Sequence, residues 1–268
     1  MNNQYLTEYL GKVKNHNTKV AYKKDIEQLL EFCNKEVGNI TETDLFRWVE
    51  NLRDLSSATK ARKIIAIRQF FKYVKGMGYI ETNPTLELKA GTVKNKEADY
   101  VTKEEVQRMI EVSTNIMHKA LISFMMYTGL RVSEIIRTRV EDGEQGKFKV
   151  ATKGDNTRFV VLNQDTQEYV NKYLEHRPST EVKNLFVNEY GLPLSQKIIT
   201  RILQDAAFKA GIHKHITPHS MRHTFITMLC ESHGIVIAQK VVGHKNLATT
   251  QRYVHMTEDK IEDIMKGL

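Results

Sequence analysis

From residue 117 to residue 127 the chain is almost wholly apolar. A helix of that composition has no polar face to show to water, so neighbouring elements must cover it on every side. The second half of the chain is therefore expected to fold around this segment. It opens at Thr102-Lys103-Glu104-Glu105, where a threonine three residues ahead of a glutamate forms a capping box. Further on, Lys147-Phe148-Lys149-Val150-Ala151 alternates, turns through Lys153-Gly154-Asp155-Asn156, and resumes as Arg158-Phe159-Val160-Val161-Leu162, the pattern of a β-hairpin. Most of the remainder reads as helix. The fold class is mainly α with a small antiparallel β-sheet.

Residues 1–90 read as a separate helical domain. Ile26, Leu29, Leu30 and Cys33 recur at helical spacing after Asn17-Thr18, taken as the cap. A second helix starts at Thr41, with Asp44 completing a capping box and Leu45, Trp48, Val49 and Leu52 as its apolar stripe. A third follows Ser56-Ser57, carries Ile64, Ile67, Phe71 and Val74 on one face, and stops near Gly76-Met77-Gly78. Asn83-Pro84 closes the domain. Residues 91–99 are polar and unpatterned, a linker, and residues 100–268 form the second domain.

The third helix is one-sided in charge. Between residues 55 and 80 lie six basic residues, Lys60, Arg62, Lys63, Arg68, Lys72 and Lys75, and no acidic one. A solvated face usually mixes signs, so this run is expected to contact phosphates. The whole chain carries a formal net charge of +8, which suits a polyanion without proving one. Only Cys33 and Cys230 are present, far apart, which argues against a disulfide framework and fits a reducing cytoplasm. No apolar run approaches the roughly 18 residues of a membrane span, and the first residues lack the order of a secretion signal. A cytoplasmic protein that does not enter membranes is expected.

An ordered set of residues in the second domain specifies a chemistry. Arg131 sits in Thr128-Gly129-Leu130-Arg131-Val132-Ser133-Glu134, and His219 and Arg222 sit in His219-Ser220-Met221-Arg222-His223. His244 follows Gly243, and Tyr253 comes nine residues later. Arginine forks match the non-bridging oxygens of a phosphodiester and stay charged. Histidines move protons near neutral pH, and a tyrosine hydroxyl can become covalently attached to phosphorus. Thr217-Pro218 starts a helix that presents His219 and Arg222 together at its amino end, where the dipole favours an anion. Residues 235–242 form a short apolar helix ended by Gly243, suited to a left-handed cap. Histidines 213, 215, 219 and 223 have a metal site as their rival reading. The lack of Cys or carboxylate at ligand spacing, and Arg222 beside them, argue against it. No metal or other cofactor is expected.

These motifs resemble the tyrosine recombinases (the phage-integrase family), and within them the Xer-type enzymes. The likeness runs over nearly the whole chain, with Asn17-Thr18-x-x-Ala21-Tyr22-x-x-Asp25 and the helix of residues 57–73 resembling the family's core-binding domain. It implies an N-terminal helical core-binding (SAM-like) domain and an α+β catalytic domain that act on double-stranded DNA at a specific recombination site. It also implies that Tyr253 attacks the scissile phosphate to give a 3′-phosphotyrosine and a free 5′-hydroxyl. Arg131 and Arg222 would hold the non-bridging oxygens, with Glu134 supporting Arg131. Lys153, at the hairpin tip, would protonate the leaving 5′ oxygen, His219 would serve as acid/base toward Tyr253, and His244 would hydrogen-bond the phosphate. A homotetramer on DNA, monomeric or weakly oligomeric off it, follows from the same likeness. The tail with Ile261, Ile264 and Met265 packs either on a neighbouring subunit or on its own domain. A type IB topoisomerase-like relaxing enzyme and a non-catalytic DNA-binding regulator are the alternatives.

Overall fold

The computed structural model describes residues 2–91, 100–151 and 157–243. Contacts divide the chain into two compact units, Met1–Lys96 and Glu97–Leu268.

The first unit is built from four α-helices, α1 (Asn2–Lys12), α2 (His16–Cys33), α3 (Glu42–Asn51) and α4 (Ser57–Gly76). Thr41 and Asp44 form the expected capping box at α3, and Ser56 caps α4. The cap of α2 is Asn15, whose side chain accepts from the Thr18 amide, so this helix begins two residues before the expected Asn17-Thr18. Helix α1 is an addition to the sequence reading; Leu6, Tyr9 and Leu10 are its buried face. The core joins these to Ile26, Leu29, Trp48, Ile67, Phe71 and Val74. Burying such side chains contributes roughly 1.5–3 kcal/mol each, which is why the apolar stripes locate the helices correctly.

The second unit wraps α6 (Ile116–Thr128). From Ala120 to Met126 every residue of α6 is buried, as its composition requires. Around it pack α5 (Lys103–Val112), α9 (Gln164–Glu175) and α11 (Pro218–Val242). The short helices α7 (Val132–Arg137) and α8 (Val140–Gln145) lead into the hairpin, and α10 (Gln196–Lys209) packs on α5. Helix α8 lies immediately before the hairpin; Gly146, at φ 64, ends it.

Strands β1 (Lys147–Ala151) and β2 (Thr157–Val161) are antiparallel, with Phe148 opposite Val160 and Val150 opposite Arg158. Side chains alternate across a strand, so Phe148, Arg158 and Val160 share the inner face, where Phe148 stacks on Phe124 of α6 at 6.2 Å. Lys147, Lys149 and Phe159 share the outer face, both ammonium groups lying over the Phe159 ring.

Among the described residues, α11 is long and apolar enough to cross a membrane. Gly234, at φ 78 and ψ 163, breaks it into two pieces, each shorter than the roughly 20 residues a span needs. The apolar residues Met221, Ile226, Ala238 and Val242 are buried within the protein instead.

Candidate active site

Four of the residues singled out in the sequence fall in the described part of the second unit: Arg131, Glu134, His219 and Arg222. Lys153, His244 and Tyr253, and the tail after Tyr253, lie outside the described residues.

Helix α6 ends at Gly129, which takes a left-handed conformation, φ 55, that places the chain for the turn into Arg131. A Cβ there would run into the ring of Phe225, so glycine is required both for its backbone freedom and for the close approach of α11. The Gly129 carbonyl accepts from Nη1 of Arg222, and the other arm, Nη2, donates to the carbonyl of Val242 at 3.3 Å. Arg222 is 5% exposed. One buried guanidinium thus ties the Arg131 turn to the carboxyl end of α11, where the helix dipole favours a cation.

Arg131 occupies the cap position of α7. Glu134, in the first turn, accepts from the Arg131 backbone N–H at 2.9 Å and from its Nη1 at 2.9 Å. The Arg131 side chain stays 45% exposed, so its remaining donors face outward. Both Glu134 carboxylate oxygens are thus engaged by Arg131. Burial pushes the Glu134 carboxyl up, but the hydrogen bonds from Arg131 and the charges of Arg158 and Arg131 outweigh it and hold the carboxyl below its ordinary range.

Arg158 escaped the sequence reading. It is 6% exposed, donates from Nη2 to Glu134 at 3.3 Å and from Nη1 to the Val241 carbonyl at 3.1 Å. Burial lowers its pKa, opposed by the Glu134 charge. The signal was present: in Arg158-Phe159-Val160 an arginine shares the strand phase of a buried valine, a position that demands a buried partner.

Helix α11 begins as expected, with Thr217 as cap, Ser220 completing a capping box and Pro218 in the first turn. His219 is exposed at this end, one turn before Arg222. Thr224, farther along, fastens α11 to the start of the domain through both backbone groups of Val101, at 2.7 and 3.1 Å. The other histidines of the rival reading are dispersed in role. His215 Nδ1 lies 3.3 Å from Gln204, and the His223 ring stacks on Tyr100 at 5.9 Å. Among the described residues no three His, Cys, Asp or Glu side chains gather as a metal site would need.

The basic face of α4 divides. Arg68, Lys72 and Lys75 are exposed, and Arg68 and Lys72 line a groove of about 450 Å³ with Ile65, Gln69, Asn83, Thr85 and Leu86. Lys75 donates to the Glu81 carbonyl and Lys60 to that of Arg53. Lys63 corrects the expectation. It is 6% exposed and bonded to Asp25 at 2.9 Å, an acid itself buried in α2. Its ammonium neutralises Asp25 inside the domain and does not reach the surface; Arg62, half-exposed, shares the same carboxylate.

Comparison with known proteins places this arrangement. Residues 99–260 match the phage integrase family, and residues 3–77 match the phage integrase N-terminal SAM-like domain. The chain belongs to the phage integrase family of tyrosine recombinases. It is 32% identical to tyrosine recombinase XerD of Oceanobacillus iheyensis, covering 94% of this chain and 91% of that one. To tyrosine recombinase XerC of Thermodesulfovibrio yellowstonii it is 29% identical, with the same coverage. Among solved structures, XerA recombinase is 28% identical with a TM-score of 0.57, covering 98% of each chain. A lambda integrase dimer bound to a core site, 17% identical and covering 94% of each chain, shares the fold at a TM-score of 0.78.

Proposed function

We propose that this chain is a site-specific recombinase that cuts and rejoins double-stranded DNA through a 3′-phosphotyrosine, with neither a metal ion nor ATP. The observation that carries the reading is the pairing of Arg131 and Arg222 through Gly129. One arginine, two residues from the Gly129 carbonyl that the other binds, keeps donors exposed, while the other is locked into the scaffold. Preorganised donors of this kind stabilise the charge that builds on phosphate oxygens without reorganising during the reaction.

In this reading the phenolic oxygen of Tyr253 attacks phosphorus as His219 takes its proton. The bond from phosphorus to the 5′ oxygen breaks, and Lys153 protonates that oxygen. His244 hydrogen-bonds the phosphate. The phosphotyrosine keeps the bond energy, so attack by a 5′-hydroxyl from another strand reverses the chemistry and reseals the backbone. Residues 1–90 serve as the core-binding domain, residues 91–99 as the linker and residues 100–268 as the catalytic domain. Arg68, Lys72 and Lys75 contribute phosphate contacts. The working unit is a cytoplasmic homotetramer on two DNA sites. XerH recombinase, of the same fold, has been solved on its palindromic substrate in a post-cleavage complex, which fits this assignment.

A duplex carrying the recombination site and a nick beside the cleavage position tests the proposal. A covalent protein–DNA adduct that survives denaturation is expected without added metal. A DNA-binding regulator would give none, and plasmid relaxation independent of any particular site would mark a topoisomerase instead.

A further inference from the structure

We propose that Arg158 is a positioning residue for DNA cleavage: one buried guanidinium fixes the Glu134 carboxylate behind Arg131 and the carboxyl end of α11. The inference rests on the recombinase reading above, and it adds a residue outside the six that reading uses.

Three observations carry it. Glu134 has two oxygens, and both are committed: one to the Arg131 side chain, the other shared by the Arg131 backbone N–H and Arg158. The carboxylate therefore cannot rotate without breaking a bond to one arginine or the other. Next, the second arm of Arg158 binds the Val241 carbonyl, adjacent to the Val242 carbonyl that Arg222 binds. Two guanidinium groups thus grip successive carbonyls in the last turn of α11, and His244 follows Gly243 directly in the chain. Displacement of that turn is coupled through Arg158 to the carboxylate that orients Arg131.

The third observation is an unfavourable one. Nε of Arg158 is buried with no hydrogen-bond partner among the described residues. A buried ion pair with an unmade hydrogen bond is a poor stabiliser; an apolar side chain of similar volume often serves the fold as well or better. The fold alone gives little reason for an arginine on the inner face of β2. Geometry does, because a planar fork can span a carboxylate and a carbonyl at once, and an ammonium at the end of a flexible stem cannot.

The test uses the full-length protein and the nicked duplex. Arg158→Lys keeps the charge and loses the fork. Expected is a single-turnover adduct rate lowered about 10–100-fold, the scale of an ångström-sized misplacement of catalytic groups. DNA affinity should be unchanged and Tm should move by less than about 5 °C. Glu134→Gln should give a similar loss, and the double variant should lose no more than the worse single one. An undiminished adduct rate in folded Arg158→Lys, or losses that multiply in the double variant, overturns the proposal. Should Arg158→Lys fail to fold, Glu134→Gln decides: reduced cleavage at unchanged DNA affinity supports the relay, and a parallel fall in affinity refutes it. A wild-type protein that forms no adduct would instead remove the recombinase reading itself.

Discussion

Arg222 donates a hydrogen bond to the backbone carbonyl of Gly129, joining residues 93 apart in the chain. That bond ties the first turns of α11 to the turn that carries Arg131.

Removal of either arginine should therefore have distinguishable effects. Arg131→Ala should slow adduct formation by about 10²–10³-fold or more, as when one preorganised donor is lost, with little change in Tm. Arg222→Ala should slow it at least as much and also destabilise the fold, because the Gly129 and Val242 carbonyls lose their donor; an unmet buried acceptor costs about 1–3 kcal/mol. Suicide-substrate kinetics paired with thermal melts separate the two.

Gly129→Ala should destabilise the second domain by about 2 kcal/mol or more, since the added methyl meets both an unfavourable φ and the Phe225 ring. Chemical denaturation measures it. A neutral result would mean that α11 can retreat from α6 at no cost.

Tyr253→Phe should abolish the covalent adduct and leave DNA affinity nearly intact, since one hydroxyl contributes little to binding a long polyanion. If Lys153 protonates the leaving oxygen, a 5′-bridging sulfur, which departs without a proton, should restore cleavage to Lys153→Ala. Gel shifts and adduct gels on the two substrates read both outcomes; an unrescued variant would transfer the acid role to another donor.

On the basic helix, Arg68→Ala and Lys72→Ala should weaken DNA binding across all sequences and flatten its salt dependence by about one unit of slope each. Lys63→Ala should leave the salt slope unchanged. It should instead lower stability by about 1–3 kcal/mol, because Asp25 loses the buried one of its two cationic partners. Titration of binding against salt, beside urea melts, checks the contrast.

Glu134 should leave its mark on acid stability. Its carboxyl is held below the ordinary value of 4.5 in the folded protein. Its contribution is then complete above that value and is lost as pH falls through the lower, folded one. Glu134→Gln should make the loss of Tm below about pH 4.5 shallower. Glu105, also held low and ion-paired with Lys214 at 2.8 Å, remains in the variant and accounts for part of the residual slope.

Most local patterns were read correctly, the cap of α2 (Asn15 in place of Asn17-Thr18) and the unread helix α1 being the exceptions. The capping boxes at Thr41 and Thr102, the Thr217 cap ahead of Pro218, the buried run of α6 and the two strands of the hairpin follow from neighbours within a few residues. The other misreadings came where distance in sequence hides proximity. Lys63 resembles its basic neighbours until Asp25, 38 residues earlier, is brought beneath it. Arg158 reads as one more hairpin charge until the strand phase turns it inward onto Glu134.

The amino-acid sequence by itself determined which side chains can do chemistry on a phosphodiester, because residue type, order and spacing belong to the chain. Caps and apolar periodicity located most of the helices too, α1 being the one they missed in the first domain. Only the tertiary structure decided which charges work on the surface and which are consumed inside. That choice depends on desolvation and on partners tens of residues away: Arg131 remains open, while Lys63 and Arg158 are enclosed with a carboxylate each.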